Sequence, residues 1–200
     1  MEQARLARRL AELQEAFDAS FARTVEACPE ELARALAIRA GGRRLVVRIE
    51  ELAAVEPCRR TAPLAGGPPG LLGLAGLRGR LVAVYDLAAL LGGRPRAGAD
   101  GADGAGGAGG AGGASSRPAP RWLLVCARSP EIALAVDEIE RHVGFSSADV
   151  RPLSGGDPGG HVGEAVEIDG APLGILRVPS VVAAVLARAQ GGAERAKEDR

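Results

Sequence analysis

Aromatic residues and an excess of either charge are what this 200-residue sequence lacks. It has one Trp, one Tyr and three Phe, and its 25 basic residues equal its 25 acidic residues in number. Proteins that bind single-stranded nucleic acid stack the bases on aromatic side chains, so we do not expect that activity. Polyphosphates and acidic membrane surfaces require a basic excess in their binding partners. We therefore do not expect either of them to be a main partner of this protein.

Paired cysteines and long apolar runs are also missing. Cys28, Cys58 and Cys126 are far apart and form no CxxC motif, so neither a zinc site nor a disulfide framework is indicated. No apolar run approaches the roughly 20 residues that cross a bilayer. The charged N-terminus has no apolar signal-peptide region. We expect a cytoplasmic protein with reduced thiols, no metal and no membrane insertion.

Catalytic motifs are absent from the sequence. Its two histidines, His142 and His161, have no Ser, Cys or carboxylate at motif spacing, and no HExxH or GxSxG string occurs. The paired acids Glu50-Glu51 and Asp137-Glu138 stand at equivalent points of two similar segments, which suggests turn chemistry or a surface role. Since catalysis needs converging titratable groups, we expect a protein that is not an enzyme.

The ends of the chain and its middle differ in pattern from the rest. An apolar stripe at helical spacing predicts an N-terminal helix over about 1–26, within an extension 1–34 (Leu6, Leu10, Leu13, Phe17, Phe21 and Val25). That helix either packs on its own domain or docks on a partner. The Gly/Ala-rich tract 94–120 cannot bury apolar surface and is predicted to be a flexible insertion. We expect 188–200 to be a disordered tail.

Two similar halves flank the Gly/Ala-rich tract. Alternating apolar residues with turn signals predict hairpins in each, beginning with Leu36–Ile49 around Gly41-Gly42. RLVVRIEEL at 44–52 matches EIALAVDEI at 131–139, and GRLVAVYDLAALL from Gly79 matches GAPLGILRVPSVV from Gly170. Short helices are expected at 87–91 and 178–189. The sequence therefore predicts a mostly β protein with lobes at about 35–93 and 121–187, built as small barrels rather than a parallel sheet.

The segment Leu71–Gly93 carries the most specific motif. It contains the turn Gly76-Leu77-Arg78-Gly79, a second apolar strand and the pair Asp86-Leu87. This pattern resembles the CheW-like family, the coupling proteins of bacterial chemotaxis. Ala135–Ile139 resembles the family's Val-Asp-Glu-Val segment. The resemblance extends over about 35–187 without the tract.

The resemblance implies two SH3-like five-stranded β-barrel lobes, here with an extra N-terminal helix and a C-terminal helix. It implies an adaptor that couples the cytoplasmic tip of methyl-accepting chemoreceptors to the regulatory domain of a CheA-type histidine kinase. One lobe would bind the kinase, the groove between the lobes would receive the receptor, and no cofactor is implied. The alternative is an accessory CheW-like scaffold in a motility or other two-component pathway. A small-molecule or nucleic-acid binder is disfavoured by the low aromatic content and neutral charge.

The expected partner-binding residues are Gly76, Leu77, Arg78 and Gly79. Gly79 permits a sharp turn, and the Arg78 guanidinium either braces the loop or reaches a partner carboxylate. Asp86 precedes a helical turn and is expected to cap it. Leu81, Val82, Val84 and Leu87 are expected in the core.

Five positions depart from the family pattern. Gly76 stands for the usual Asn of the turn, Ala83 for a Pro, Ala88 for an Arg and Arg177 for a common Asp. A glutamate often found after the first hairpin falls at Ala54, so we expect Arg78 to lack that carboxylate partner.

Overall fold

The computed structural model describes residues 9, 12–14, 32–64, 66–94, 119–153, 155 and 157–198, with backbone alone for 191–198. The chain separates into two units, Met1–Leu32 and Ala33–Arg200. Arg9 and the residues 12–14 are helical. The rest of the predicted N-terminal helix, and 95–118 of the Gly/Ala-rich tract, lie outside the described residues.

Eleven strands and two helices are described in the larger unit. The strands are β1 Ala33–Ala40, β2 Arg43–Arg48, β3 Leu52–Pro57, β4 Leu71–Leu77, β5 Arg80–Asp86, β6 Trp122–Cys126, β7 Ile132–Val136, β8 Glu138–Phe145, β9 Arg151–Pro152, β10 Val162–Ile168 and β11 Ala171–Leu176. The helices are α1 Leu87–Leu90 and α2 Val178–Glu198, and 3-10 turns occupy Ile49–Glu51 and Ser147–Asp149. The predicted first hairpin is confirmed: Gly41 and Gly42 join β1 to β2 with φ of 61° and 82°.

The strands form two sheets, which we call the six-stranded lobe and the five-stranded lobe. The order is β8-β1-β2-β11-β10-β9 in the first and β3-β6-β7-β5-β4 in the second. The mostly β, two-lobed class is confirmed. The two sheets are mixed and are not closed barrels, and one of them has six strands instead of five.

Each lobe takes strands from both sides of the Gly/Ala-rich tract, so the sheets do not divide at 35–93 and 121–187. Hairpin β1–β2 pairs with hairpin β10–β11 through parallel β2 and β11, and hairpin β6–β7 pairs with β4–β5 through parallel β7 and β5. β3 and β8, which follow the first hairpin of each half, join the opposite lobe. The two halves carry the same alternation of apolar residues, so the pattern identified the strands and could not specify which hairpins pair.

Apolar side chains on the two faces of each sheet enter different cores. One face of the six-stranded lobe packs around residues such as Val46, Phe145 and Ile175, and one face of the five-stranded lobe around Val84 and Leu123. The other faces share a central core with both helices (Ile38, Leu45, Val47, Leu87, Leu124, Leu134, Val136, Val181 and Val185). Burial of apolar surface contributes roughly 25 cal/mol per Å² to stability, so this shared core stabilises the packing of the two lobes.

Helix α2 closes the fold and is longer than predicted. Val181, Val182 and Val185 bury one face in the central core, as the 3.6-residue period requires. The helix continues to Glu198, which is ten residues beyond the position at which a disordered tail was expected to begin. The strong helix formers in Ala193–Glu198 outweigh the two glycines at 191 and 192. No helix among the described residues has the length and hydropathy to cross a membrane.

Candidate functional site

The turn between β4 and β5 presents Arg78 at its tip. Leu77 and Arg80 close the hairpin, leaving Arg78 and Gly79 as a two-residue loop. Their φ values are 48° and 79°, the signs of a type I′ turn, which Asn-Gly and Gly-Gly sequences favour. Glycine accepts this conformation freely, whereas an arginine is strained by roughly 1–2 kcal/mol. The geometry of the turn alone would therefore favour Asn or Gly at position 78, not Arg.

Arg78 does have a carboxylate partner, so the expectation that it lacks one is wrong. Its Nη2 lies 2.6 Å from Oε1 of Glu56, and the Arg78 side chain is 79% exposed. Glu56 is two residues beyond Ala54 on β3 and therefore on the same face of the strand. The contact lacks hydrogen-bond geometry, because Oε1 of Glu56 has no hydrogen-bond partner. An ion pair this exposed contributes little to stability and leaves other guanidinium donors accessible.

A groove of about 300 Å³ runs beside this turn, and we call it the arginine groove. Gly76, Leu77 and Arg78 form one side, and Arg59 and Arg60 lie on the segment that follows β3. Glu56, Pro57, Ala75 and Leu123 complete its lining. Three of the four predicted partner-binding residues therefore line one groove, and Gly79 adjoins it in the turn. The pattern gave no signal for Arg59 and Arg60, which follow a strand that the sequence did not predict.

Leu81 is exposed, although it was expected in the core. It lies just after the turn and is 71% exposed. Val82 and Val84 are buried as expected, because side chains alternate along β5 and Leu81 faces the other way. The hairpin thus presents a large apolar side chain and an arginine together.

The segment carrying Arg59 and Arg60 is fixed to the five-stranded lobe at both ends. Cys58 N–H donates to the carbonyl of Arg121 at 2.9 Å, and Ala62 and Leu74 exchange two backbone hydrogen bonds of 2.8 Å. Gly73 allows that approach: a Cβ there would lie 2.0 Å from the Ala62 carbonyl oxygen. Only glycine tolerates so close a backbone. The two arginines are therefore held beside the hairpin.

Asp86 lies at the opposite end of β5 from the turn and is fully buried. Its Oδ1 accepts a hydrogen bond of 3.3 Å from Ala88 N–H, which caps α1. The Asp86 N–H donates to the carbonyl of Gly70 at 2.8 Å. Asp86 therefore fixes the backbone at the end of β5, and because it is buried it cannot contact a partner directly.

A second, larger cavity of about 510 Å³ lies along α2, and we call it the helix groove. Its walls are mostly apolar, with Val178, Pro179, Val182, Ala183 and Leu186 on the helix and Cys126, Ala127 and Arg128 opposite. Glu50 and Glu51 contribute from the 3-10 turn that connects the lobes. It lies where the lobe connection, the end of β6 and the helix meet.

Two titratable groups in the helix groove have altered pKa values. Burial raises the pKa of Glu51 despite the hydrogen bond of 2.9 Å that its Oε2 accepts from Val178 N–H. Burial also raises the pKa of the Cys126 thiol to about 12, with Glu131 and Glu51 adding to the effect. A thiol with that pKa is unreactive. Glu51 instead caps α2 and links the lobe connection to the helix.

The six-stranded lobe has its own charge cluster, centred on Glu140. Arg44 reaches both oxygens of Glu140 at 2.8 to 3.1 Å, and Arg39 reaches Oε1 at 2.7 Å. The hydrogen bond from Arg44 lowers the pKa of Glu140. Because Arg39 is on β1, Arg44 on β2 and Glu140 on β8, the cluster ties three strands together beside the bulge at Ala37/Ile38.

His161 has a structural position, whereas His142 is exposed on β8. His161 is buried, and its Nδ1 lies 2.9 Å from Oγ of Ser180. Asp157 accepts backbone N–H bonds from Val162 at 2.7 Å and Gly159 at 3.0 Å. Both carboxylate oxygens are thus used to hold the loop before β10. Among the described residues, no group of three or more His, Cys, Asp or Glu side chains could hold a metal ion.

Comparison with known proteins decides the family. The model of the CheW-like domain matches residues 34–185. The chain belongs to the CheW-like family. A solved CheW-like structure, the scaffolding protein TtCheW from Thermoanaerobacter tengcongensis, matches with a TM-score of 0.55 at 14% identity, over 74% of this chain and 90% of that chain. At this identity the likeness shows the fold. No curated protein matches the sequence.

Proposed function

We propose that this CheW-like protein couples chemoreceptors to a CheA-type histidine kinase in the cytoplasm. Members of the family are scaffolds of chemotaxis signalling, and scaffolds act through their surfaces. The single observation that carries the proposal is the hairpin tip, where a strained turn position holds an arginine that is 79% exposed. Strain of this kind persists at functional sites.

The hairpin has the chemistry of a protein contact. Leu81 and Arg78 are both exposed, and an apolar anchor beside an arginine is typical of the residues that dominate binding energy at interfaces. We assign this surface to the regulatory domain of the kinase. The assignment agrees with the family's use of one lobe for a similar β domain.

The helix groove suits the other partner. Its apolar walls would receive side chains spaced three or four residues apart on a helix, as in helix-in-groove recognition. Leu186, at its edge, is exposed. We assign this groove to the helical tip of a chemoreceptor.

Arg78→Asn tests the kinase assignment without disturbing the turn. Asn-Gly is the preferred type I′ sequence, so the variant keeps the hairpin and loses the guanidinium together with its exposed ion pair to Glu56. We expect an unchanged or higher Tm and about tenfold weaker binding to the kinase's regulatory domain, measured by calorimetry.

Leu186→Glu is the matched variant for the receptor. It should weaken binding to a receptor cytoplasmic fragment and leave kinase affinity unchanged. The coupling function is rejected if the wild-type protein binds neither partner under conditions where a standard coupling protein binds both. The surface assignment is wrong if Arg78→Asn lowers Tm and binding together.

A further inference from the structure

Charge is divided unequally between the lobes of this neutral chain. The five-stranded lobe, residues 52–94 and 119–136, has seven arginines against three acidic residues. One of the three, Asp86, is buried as a helix cap. In the six-stranded lobe the arginines Arg39, Arg44, Arg48 and Arg141 are all paired with carboxylates. These four arginines are therefore neutralised by carboxylates of their own lobe, whereas the five-stranded lobe has an excess of arginines over acidic residues.

That charge is concentrated at the arginine groove. Arg59, Arg60 and Arg78 line it, and Arg80 follows immediately after the turn. Among the described residues, neither Arg59 nor Arg60 has a carboxylate within ion-pair distance, and Glu56 contacts Arg78 alone. The backbone bonds at Cys58 and Ala62 hold these arginines in place. Grouped solvated arginines create a positive surface potential, which attracts an anionic partner.

The walls of the groove indicate which anion. Pro57, Leu77 and Leu123 supply apolar surface between the guanidinium groups. A phosphate backbone has no apolar groups that would contact such a surface, and nucleic-acid bases would need aromatic side chains on which to stack. A peptide with carboxylates spaced by small apolar side chains matches both components, because guanidinium forks bind carboxylates in a bidentate manner.

We propose that the arginine groove binds an acidic segment of a protein partner, with Arg59 and Arg60 adding to the contact made by Arg78. The assignment of that partner to the chemotaxis array rests on the proposed function, but the recognition of an acidic peptide does not. Binding should weaken as salt rises, because the charges lie at the surface.

The test uses the full-length protein and a short fluorescein-labelled peptide of Glu, Ala and Leu, measured by fluorescence polarisation. A peptide with Lys in place of Glu is the control probe. The variant Arg59→Glu/Arg60→Glu is compared with Arg34→Glu/Arg188→Glu, which changes net charge equally at exposed arginines outside the groove. We expect the acidic peptide alone to bind, the first variant to lose about tenfold in affinity and the second to be unaffected.

Three results would overturn the proposal. One is equal loss in both variants, which would mean that net charge alone attracts the peptide. Another is a preference for a single-stranded oligonucleotide or inorganic phosphate over the peptide. The third is no peptide binding by wild type at low salt. Parallel assays with the kinase domain and the receptor fragment report on the coupling function separately, so either conclusion can fail while the other stands.

Discussion

The two lobes of this CheW-like protein share one strand plan and use arginine in opposite ways. Each lobe joins two antiparallel hairpins through a parallel strand pair. In the six-stranded lobe, Glu140 gathers Arg39 and Arg44 across three strands. In the five-stranded lobe, Arg59, Arg60 and Arg78 surround a groove that contains one glutamate. The same fold is thus stabilised by internal ion pairs on one side and presents free donors on the other.

The difference between the lobes indicates which surface a partner contacts. Arginines that are held by carboxylates fix strand register and have few donors left, whereas exposed arginines beside an exposed leucine are suited to an interface. The net charge of zero conceals this division. Four sets of substitutions test this difference between the lobes, and they are arranged by the expected change in the free energy of unfolding.

Gly73→Ala should have the largest effect. The new Cβ would meet the Ala62 carbonyl oxygen at 2.0 Å, at a φ of 138° that other residues rarely adopt. We expect a loss of about 2–4 kcal/mol in urea unfolding, with weaker kinase binding because the segment bearing Arg59 and Arg60 is displaced. Gly76→Ala is the control on the same strand, since a Cβ there meets nothing within 4 Å. Equal loss of stability from both variants would show that the close approach of Gly73 to Ala62 is not what glycine is needed for.

Glu140→Gln should cost about 1–2 kcal/mol at neutral pH, because it removes charge-assisted hydrogen bonds from a side chain that is only 14% exposed. The pKa of Glu140 is lowered in the folded state. Its stabilisation is therefore complete above the unfolded pKa of about 4.3 and is lost as pH falls through the lower folded pKa. Unfolding curves of wild type and variant should converge in acid. A constant difference at every pH would refute an ionic origin.

Glu51 links the lobe connection to α2. Its two substitutions, to Ala and to Gln, should differ in their effect on stability. Glu51→Ala removes the acceptor for Val178 N–H and should cost about 1 kcal/mol, whereas Glu51→Gln keeps an acceptor. Because burial raises the pKa of Glu51, wild-type stability should decline as pH rises from the unfolded pKa through the folded pKa. Glu51→Gln should lack that decline in thermal melts. Identical pH profiles would show that burial of this carboxylate has no energetic consequence.

Arg59→Ala/Arg60→Ala should have the smallest effect, within about 0.5 kcal/mol, as expected for solvated surface residues. The difference between this small change in unfolding free energy and the larger one expected for Glu140→Gln compares the two lobes directly. A loss of stability similar to that of Glu140→Gln would mean that these arginines brace the fold.

The sequence predicted the strands better than their assembly. Period-two alternation identified the hairpin at Gly41-Gly42, the strand before Asp86 and the internal repeat, because local patterning decides those features. Pairing between halves depends on contacts distant in sequence, so the exchange of hairpins was missed. The carboxylate partner of Arg78 and the burial of Leu81 were misjudged for a related reason: the bulge between Leu52 and Ala54 and the end of the shared core set their surroundings. Arg59 and Arg60 carry no pattern of their own and became significant only beside the turn.

Hydrogen exchange of the full-length protein with and without the kinase's regulatory domain would locate the surface that the kinase contacts. We expect new protection in the five-stranded lobe, at 57–62 and at 74–81, with unchanged exchange at 138–142 in the six-stranded lobe. Protection confined to 138–142 and the β1–β2 turn would contradict this expectation, because the partner would then bind beside the cluster in which Arg39 and Arg44 are already paired with Glu140.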